Sequence, residues 1–180
     1  MKRFIRFAAI LAALAVWPLA QIAHAGPSEP TVPEGLEVPA GNKLFLVGHA
    51  VGVQIYSCTA TDTGFSWSFA GPRADLYDEN DRLIATHFAG PTWQAKDGSY
   101  VVGSVEKRAT PDATAIPWLK LVAASKAVGP DGDRLYGTTY IQRLATTGGL
   151  PPAPETCNAD SAGTTQEISY TADYYFWKGI

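Results

Sequence analysis

Cysteine, methionine and histidine are all scarce in this chain: two, one and three in 180 residues. So few soft ligands exclude a cysteine-rich zinc or iron–sulfur module. The short motifs that carry a mechanism are absent as well: there is no G-x-S-x-G, H-E-x-x-H, P-loop or G-x-G-x-x-G after a strand. No basic cluster exists, and 14 Lys+Arg against 17 Asp+Glu give a formal net charge of −3. That balance excludes a nucleic-acid binder or a protein drawn to anionic membrane surfaces. After Ala20 there is no long apolar run, hence no expected membrane anchor. Nor does any window beyond it keep a helical period over ten or more residues, which excludes helical bundles and α/β folds.

What is present begins with export. Lys2, Arg3 and Arg6 precede the apolar run Phe7–Ala20, and Ala23-His24-Ala25 offers small residues at −3 and −1. Residues 1–25 therefore read as a signal peptide, too short in its apolar part for a comfortable span. Removing its three cations from the 14 leaves 11 against 17 acids, a mature net charge of −6. The destination is the periplasm or the medium. Two cysteines in an exported chain read as one bridge, Cys58–Cys157. A reactive thiol pair or two metal ligands are the alternatives, but neither cysteine sits in a C-x-x-C or beside a basic residue.

Residues 26–42 carry Pro27, Pro30, Pro33 and Pro39 between glutamates and read as an extended leader. The domain, residues 43–180, reads as strands. Lys43–Val51 and Val53–Thr59 are β-branched and apolar around Gly48 and Gly52; in the second run Gln54, Tyr56 and Cys58 share one face. Phe65–Phe69 alternates aromatic and polar, Leu83–Phe88 follows an acidic turn at 78–81, and Asp97-Gly98 marks a hairpin joining Thr92–Lys96 to Tyr100–Lys107. Ile116–Ala124, Tyr136–Thr146 and the aromatic Ile168–Trp177 complete the series. About eight to nine short strands predict an all-β single domain, a β-sandwich or a β-barrel, with one disulfide. In the last strand both faces are aromatic, so it is buried on both sides or packs under the leader.

Chemistry-bearing residues are few. His49 and His87 lie on different strands with no near ligand, and each reads as a histidine hydrogen-bonded at a strand end. Asp75, Asp78, Glu79 and Asp81 lack the glycine and terminal glutamate of an EF-hand and read as a solvated turn. The densest segment is His87–Ser99, which sets an imidazole, an indole and a carboxylate in one strand–turn–strand unit. Asp-Gly-Ser is also what a hairpin turn requires for backbone reasons alone.

Gln54–Cys58, His87–Trp93 with Asp97-Gly98-Ser99, Ile116–Leu119, Tyr140–Arg143, Thr146–Gly149 and Tyr170–Phe176 stand in this order. Together they resemble the DUF3455 family, exported proteins of bacteria and fungi whose function is unknown. The resemblance spans residues 32–177. It implies an exported domain with both cysteines in its pattern, and no agreed reaction, cofactor or catalytic residue.

The expected function is binding of a small molecule or a cell-envelope component without catalysis, and without a cofactor or metal. Its candidate site is Gln54, Tyr56, His87, Trp93, Trp118, Tyr140 and Arg143: polar or amphipathic side chains on neighbouring strands. By strand parity Tyr140 and Arg143 face opposite ways unless a bulge intervenes. The alternatives are an enzyme using His87 as acid or base, with Asp97 and a metal shared with His49, and a purely structural scaffold whose aromatics are all core.

Overall fold

A computed structural model describes residues 27–180; the expected signal peptide lies outside the described residues. Eight antiparallel strands run as a meander: β1 (Asn42–Thr61), β2 (Gly64–Tyr77), β3 (Leu83–Phe88), β4 (Thr92–Ala95), β5 (Tyr100–Ala109), β6 (Trp118–Ala127), β7 (Thr138–Gly148) and β8 (Thr165–Gly179). Each strand pairs with the next, and β8 pairs with β1, so the sheet closes into a barrel. Closure removes the free edges that a sandwich retains. It rests on the longest partnership in sequence, Asn42↔Gly179 through Ser57↔Thr165, which no local pattern announces.

β1 is one strand of 20 residues, not two. Gly48 and Gly52 do not break it: they alternate with Leu46, Ala50, Gln54, Tyr56 and Cys58 on the inward face. Gly52 is needed because the barrel wall folds close there, and a β-carbon would run into the Arg73 carbonyl oxygen and Ala74. Likewise Phe65–Phe69 and Ala74–Tyr77 merge into β2, across a bulge at Ala70 where Ile55 faces Gly71 and Tyr56 faces Phe69. Pro72, whose missing N–H a fully paired strand would not tolerate, sits just past the end of the β2–β3 ladder at Arg73↔Phe88.

The two ends of the barrel differ. At the end carrying the 96–99 turn and the 128–137 loop, Leu46, Ile84, Val101, Leu135, Ile141 and Phe176 fill the lumen. Asp97 binds that seal together: Oδ1 accepts from the Ser99 amide and hydroxyl at 2.9 and 2.6 Å, and Oδ2 accepts from the Arg134 amide at 2.8 Å. The Ser99 hydroxyl oxygen in turn accepts from the Leu135 amide at 3.0 Å. Burial pushes the Asp97 carboxyl up, but the Ser99 hydroxyl and the two amides outweigh it and hold it below the usual range.

Outside the barrel the proline-rich leader crosses β6–β8. Leu36 is buried, its carbonyl accepts from Gln142 Nε2 at 2.7 Å, and Gln142 Oε1 accepts from Trp177 Nε1 at 2.8 Å. Lys120 Nζ donates to the Glu37 carbonyl at 3.2 Å. Trp177 and Gln142 thus point outward and are still buried, which accounts for the aromatic residues on both faces of β8.

Cys58 and Cys157 are bridged, with 99 residues of sequence separation. The bridge pins the 149–164 loop, which contains one 3₁₀ turn (Pro154–Thr156), to the end of β1. Trp67 Nε1 donates to Thr156 Oγ1 at 2.9 Å and holds the same loop to β2.

Candidate functional site

An eight-stranded barrel is just wide enough to be filled by side chains or to hold one small ligand. This barrel does each in one half. Towards the end carrying the 89–91 turn and the 110–117 loop, the lumen opens into a cavity of about 490 Å³, within the range of small-molecule sites.

The strand alternation decides what faces it. Gln54 and Tyr56 come from β1, His87 from β3, Trp93 from β4, Leu119 and Leu121 from β6, Arg143 from β7 and Tyr174 from β8. Exposed residues, among them Phe69, Val105 and Arg108, form the rim, whereas Gln54, His87, Trp93 and Tyr174 are buried deeper. His87 and Trp93 are a cross-strand pair, stacked at 4.3 Å with planes 8° apart, and Tyr174 meets both edge-on at 5.2 and 5.3 Å.

His87 is neutral. Its Nδ1 lies 2.8 Å from the Thr92 carbonyl, an acceptor only, so Nδ1 carries the proton and Nε2 keeps a lone pair. Burial lowers its pKa to about 3; the Thr92 bond opposes this, and the Arg143 charge adds to it. Burial also raises Tyr56, Tyr170 and Tyr174, so these hydroxyls stay protonated. Tyr56 donates to the Gly149 carbonyl at 2.7 Å.

Arg143 is the charge in the cavity wall, and it acts on all four of these rings. Its Nε and Nη2 donate to the Pro117 carbonyl at 3.1 and 2.8 Å, which fixes the guanidinium and ties the 110–117 loop to β7. The Thr146 hydroxyl supports the same loop by donating to the Ile116 carbonyl at 2.6 Å. No carboxylate lines the cavity, and among the described residues Arg143 makes no salt bridge.

Two donors are left over. Gln54 Nε2 and Trp93 Nε1, in side chains 2 % and 1 % exposed, are buried without a hydrogen-bond partner among the described residues; the one other such atom, Thr138 Oγ1, lies away from the cavity. An unmatched buried donor costs about 1–3 kcal/mol, so two in one cavity are a feature to be explained.

Over this fold and site, a family model described as a protein of unknown function (DUF3455) matches residues 39–178. The chain belongs to the DUF3455 family. No curated protein and no solved structure matches it. The matched span of this DUF3455 chain contains all eight strands but for Gly179 at the end of β8, together with both cysteines and every lining residue named above.

Of the residues read from sequence, Gln54, Tyr56, His87, Trp93 and Arg143 converge on the cavity of the DUF3455 barrel. Trp118 and Tyr140 do not. Leu119 and Arg143 are register partners facing inward, so Trp118 and Tyr140, at odd offsets from them, fall on the outer side. No register shift separates Tyr140 from Arg143 in either ladder. Phe69, Val105, Leu119 and Leu121 carry no chemical signature in the sequence; strand parity on β6 was the available signal for the two leucines. The acid/base arrangement does not assemble either. His49 faces outward, its Nδ1 2.7 Å from Asp173 Oδ1, and Asp97 is engaged in the seal at the far end. Among the described residues no group of three or more His, Cys, Asp and Glu is placed to hold a metal.

Proposed function

We propose that this DUF3455 domain is an exported protein that binds a small molecule, free or belonging to the cell envelope, in the mouth of its barrel without transforming it. The observation that carries this reading is the pair of unpartnered buried donors, Gln54 Nε2 and Trp93 Nε1, on one open-ended cavity of about 490 Å³. A scaffold has no need to keep that space, or to bury polar hydrogens in its wall without acceptors. A bound molecule fills the space, and its acceptor atoms offset the second cost once the two side chains turn to meet it.

Binding is favoured over acid/base catalysis by the state of His87. With a pKa near 3 it is a weak base, and its one proton is committed to Thr92. It serves better as a fixed acceptor and as a flat surface against Trp93. Export is supported by the basic-then-apolar residues 2–20 and by the disulfide, and among the described residues no helix is long and apolar enough to cross a membrane.

The test is native mass spectrometry of the protein purified from its own host, repeated under denaturing conditions. The reading expects an excess mass in the native spectrum that disappears on denaturing. A clean chain mass in both spectra, with no uptake on incubation with a small-molecule extract of the same host, refutes it.

A further inference from the structure

We propose that the ligand is a small monocarboxylate with an apolar body, its carboxylate on Arg143 and its body between the cavity walls. This rests on the reading that the cavity binds a small molecule, and adds the chemical class.

The polar groups of the cavity are unbalanced in one direction. Arginine carries five N–H donors; two of those on Arg143 go to the Pro117 carbonyl and the Tyr174 hydroxyl oxygen takes a third, which leaves two for a ligand. Gln54 Nε2, which faces the Tyr170 hydroxyl without a well-formed bond, and Trp93 Nε1 are further N–H donors buried in the wall. Against these stand His87 Nε2, Gln54 Oε1 and the hydroxyl oxygens of Tyr56 and Tyr174, Tyr56 having spent its proton on Gly149. What neutral acceptors of this kind leave unbalanced is the charge of the guanidinium.

Charge points the same way. The Arg143 guanidinium lies in a wall lined by neutral groups and no carboxylate, so its charge is not compensated locally. A second cation, Arg108, stands exposed on the rim and makes no salt bridge among the described residues. In a chain of net negative charge, two unpaired arginines at one barrel mouth form a local field that draws anions in. A planar carboxylate fits a guanidinium fork. One fixed charge in the wall balances one negative charge; a dianion carries one more into apolar surroundings, at a high desolvation cost. The remaining walls, among them Phe69, Pro72, Pro91, Leu119 and Leu121, ask for an apolar body.

The test is titration calorimetry on the mature protein at low salt. The probes are benzoate, 3-phenylpropionate and octanoate, each beside its own primary amide, which has the same shape and no charge. At least one acid is expected to bind ten-fold or more tightly than its amide, and to lose part of that advantage at high salt, the part that the exposed Arg108 contributes. Arg143→Gln should bring acid and amide within about two-fold of each other, and Arg143→Lys should restore part of the preference. If an amide binds as tightly as its acid, the cavity is a binding site but the carboxylate assignment is wrong. If no member of any pair binds a protein with an intact thermal transition, the binding reading falls together with this one. Should Arg143→Gln fail to fold because the Pro117 carbonyl loses its donors, the salt dependence and Arg143→Lys decide alone.

Discussion

His87 is buried and titrates within reach of ordinary unfolding experiments, so its state can be read from stability. The ring is 3 % exposed, stacked on Trp93 and hydrogen-bonded through Nδ1–H to Thr92. Its folded pKa is pushed down to about 3 from 6.5. Between those values the unfolded chain binds the proton that the folded chain refuses. The contribution of the neutral ring is therefore complete above about pH 6.5 and is lost as pH falls towards 3. At about 1.36 kcal/mol per unit, going from pH 7.5 to 4.5 removes about 2.7 kcal/mol, or about 5–10 °C in Tm for a chain of this size. Stopping at pH 4.5 keeps the measurement above most carboxylate titration, which centres near pH 4. The assay is urea unfolding at both pH values on wild type and on His87→Phe, which keeps an aromatic ring against Trp93. The variant should lose about 1 kcal/mol uniformly for the missing Thr92 bond, while its stability changes little between the two pH values. A wild type equally stable at pH 7.5 and 4.5, or a variant with the wild-type slope, refutes the claim that His87 is buried and neutral.

Gln54→Met keeps side-chain length and removes the unmatched amide; the ligand-free protein should gain about 1 kcal/mol in calorimetry, and a loss of that size would show the amide to be satisfied. Trp93→Phe should unfold cooperatively yet bind the host ligand at least ten-fold more weakly, while Trp93→Ala should cost about 3–5 kcal/mol because the indole is core as well as cavity wall; unchanged binding in the phenylalanine variant would remove Trp93 from the site. Reducing Cys58–Cys157 should destabilise the fold by about 2–5 kcal/mol, the range for a bridge closing a loop of 99 residues, and an unchanged unfolding midpoint would contradict this. Asp97→Ala should cost about 2 kcal/mol through its lost charged hydrogen bonds and leave ligand affinity unchanged, since Asp97 serves the opposite end; weakened binding would reopen its link to His87.

Much of this was legible in the chain because strands alternate. The parity of Gln54, Tyr56 and Cys58 on β1, and the opposition of Tyr140 to Arg143 on β7, follow from a period of two and hold in the barrel. Trp118 reads as a ligand residue for its indole, while parity gives the inward position to Leu119, a residue with no chemistry to notice. Gly48 and Gly52 read as breaks because glycine usually ends strands; here they make room where the wall folds close. Closure by β1 and β8, and the choice of which end is sealed, depend on contacts far apart in sequence. So does the leader, which covers a face that alternation assigns to solvent.

The central claim is that the barrel mouth is occupied. Crystals of the protein purified from its own host, without added ligand, test it most directly. The account predicts continuous non-protein density in the cavity, within hydrogen-bond distance of Gln54 Nε2 and Trp93 Nε1 and in contact with Arg143. Finding only scattered water there, or a collapsed lumen in which both donors reach protein acceptors, would contradict it.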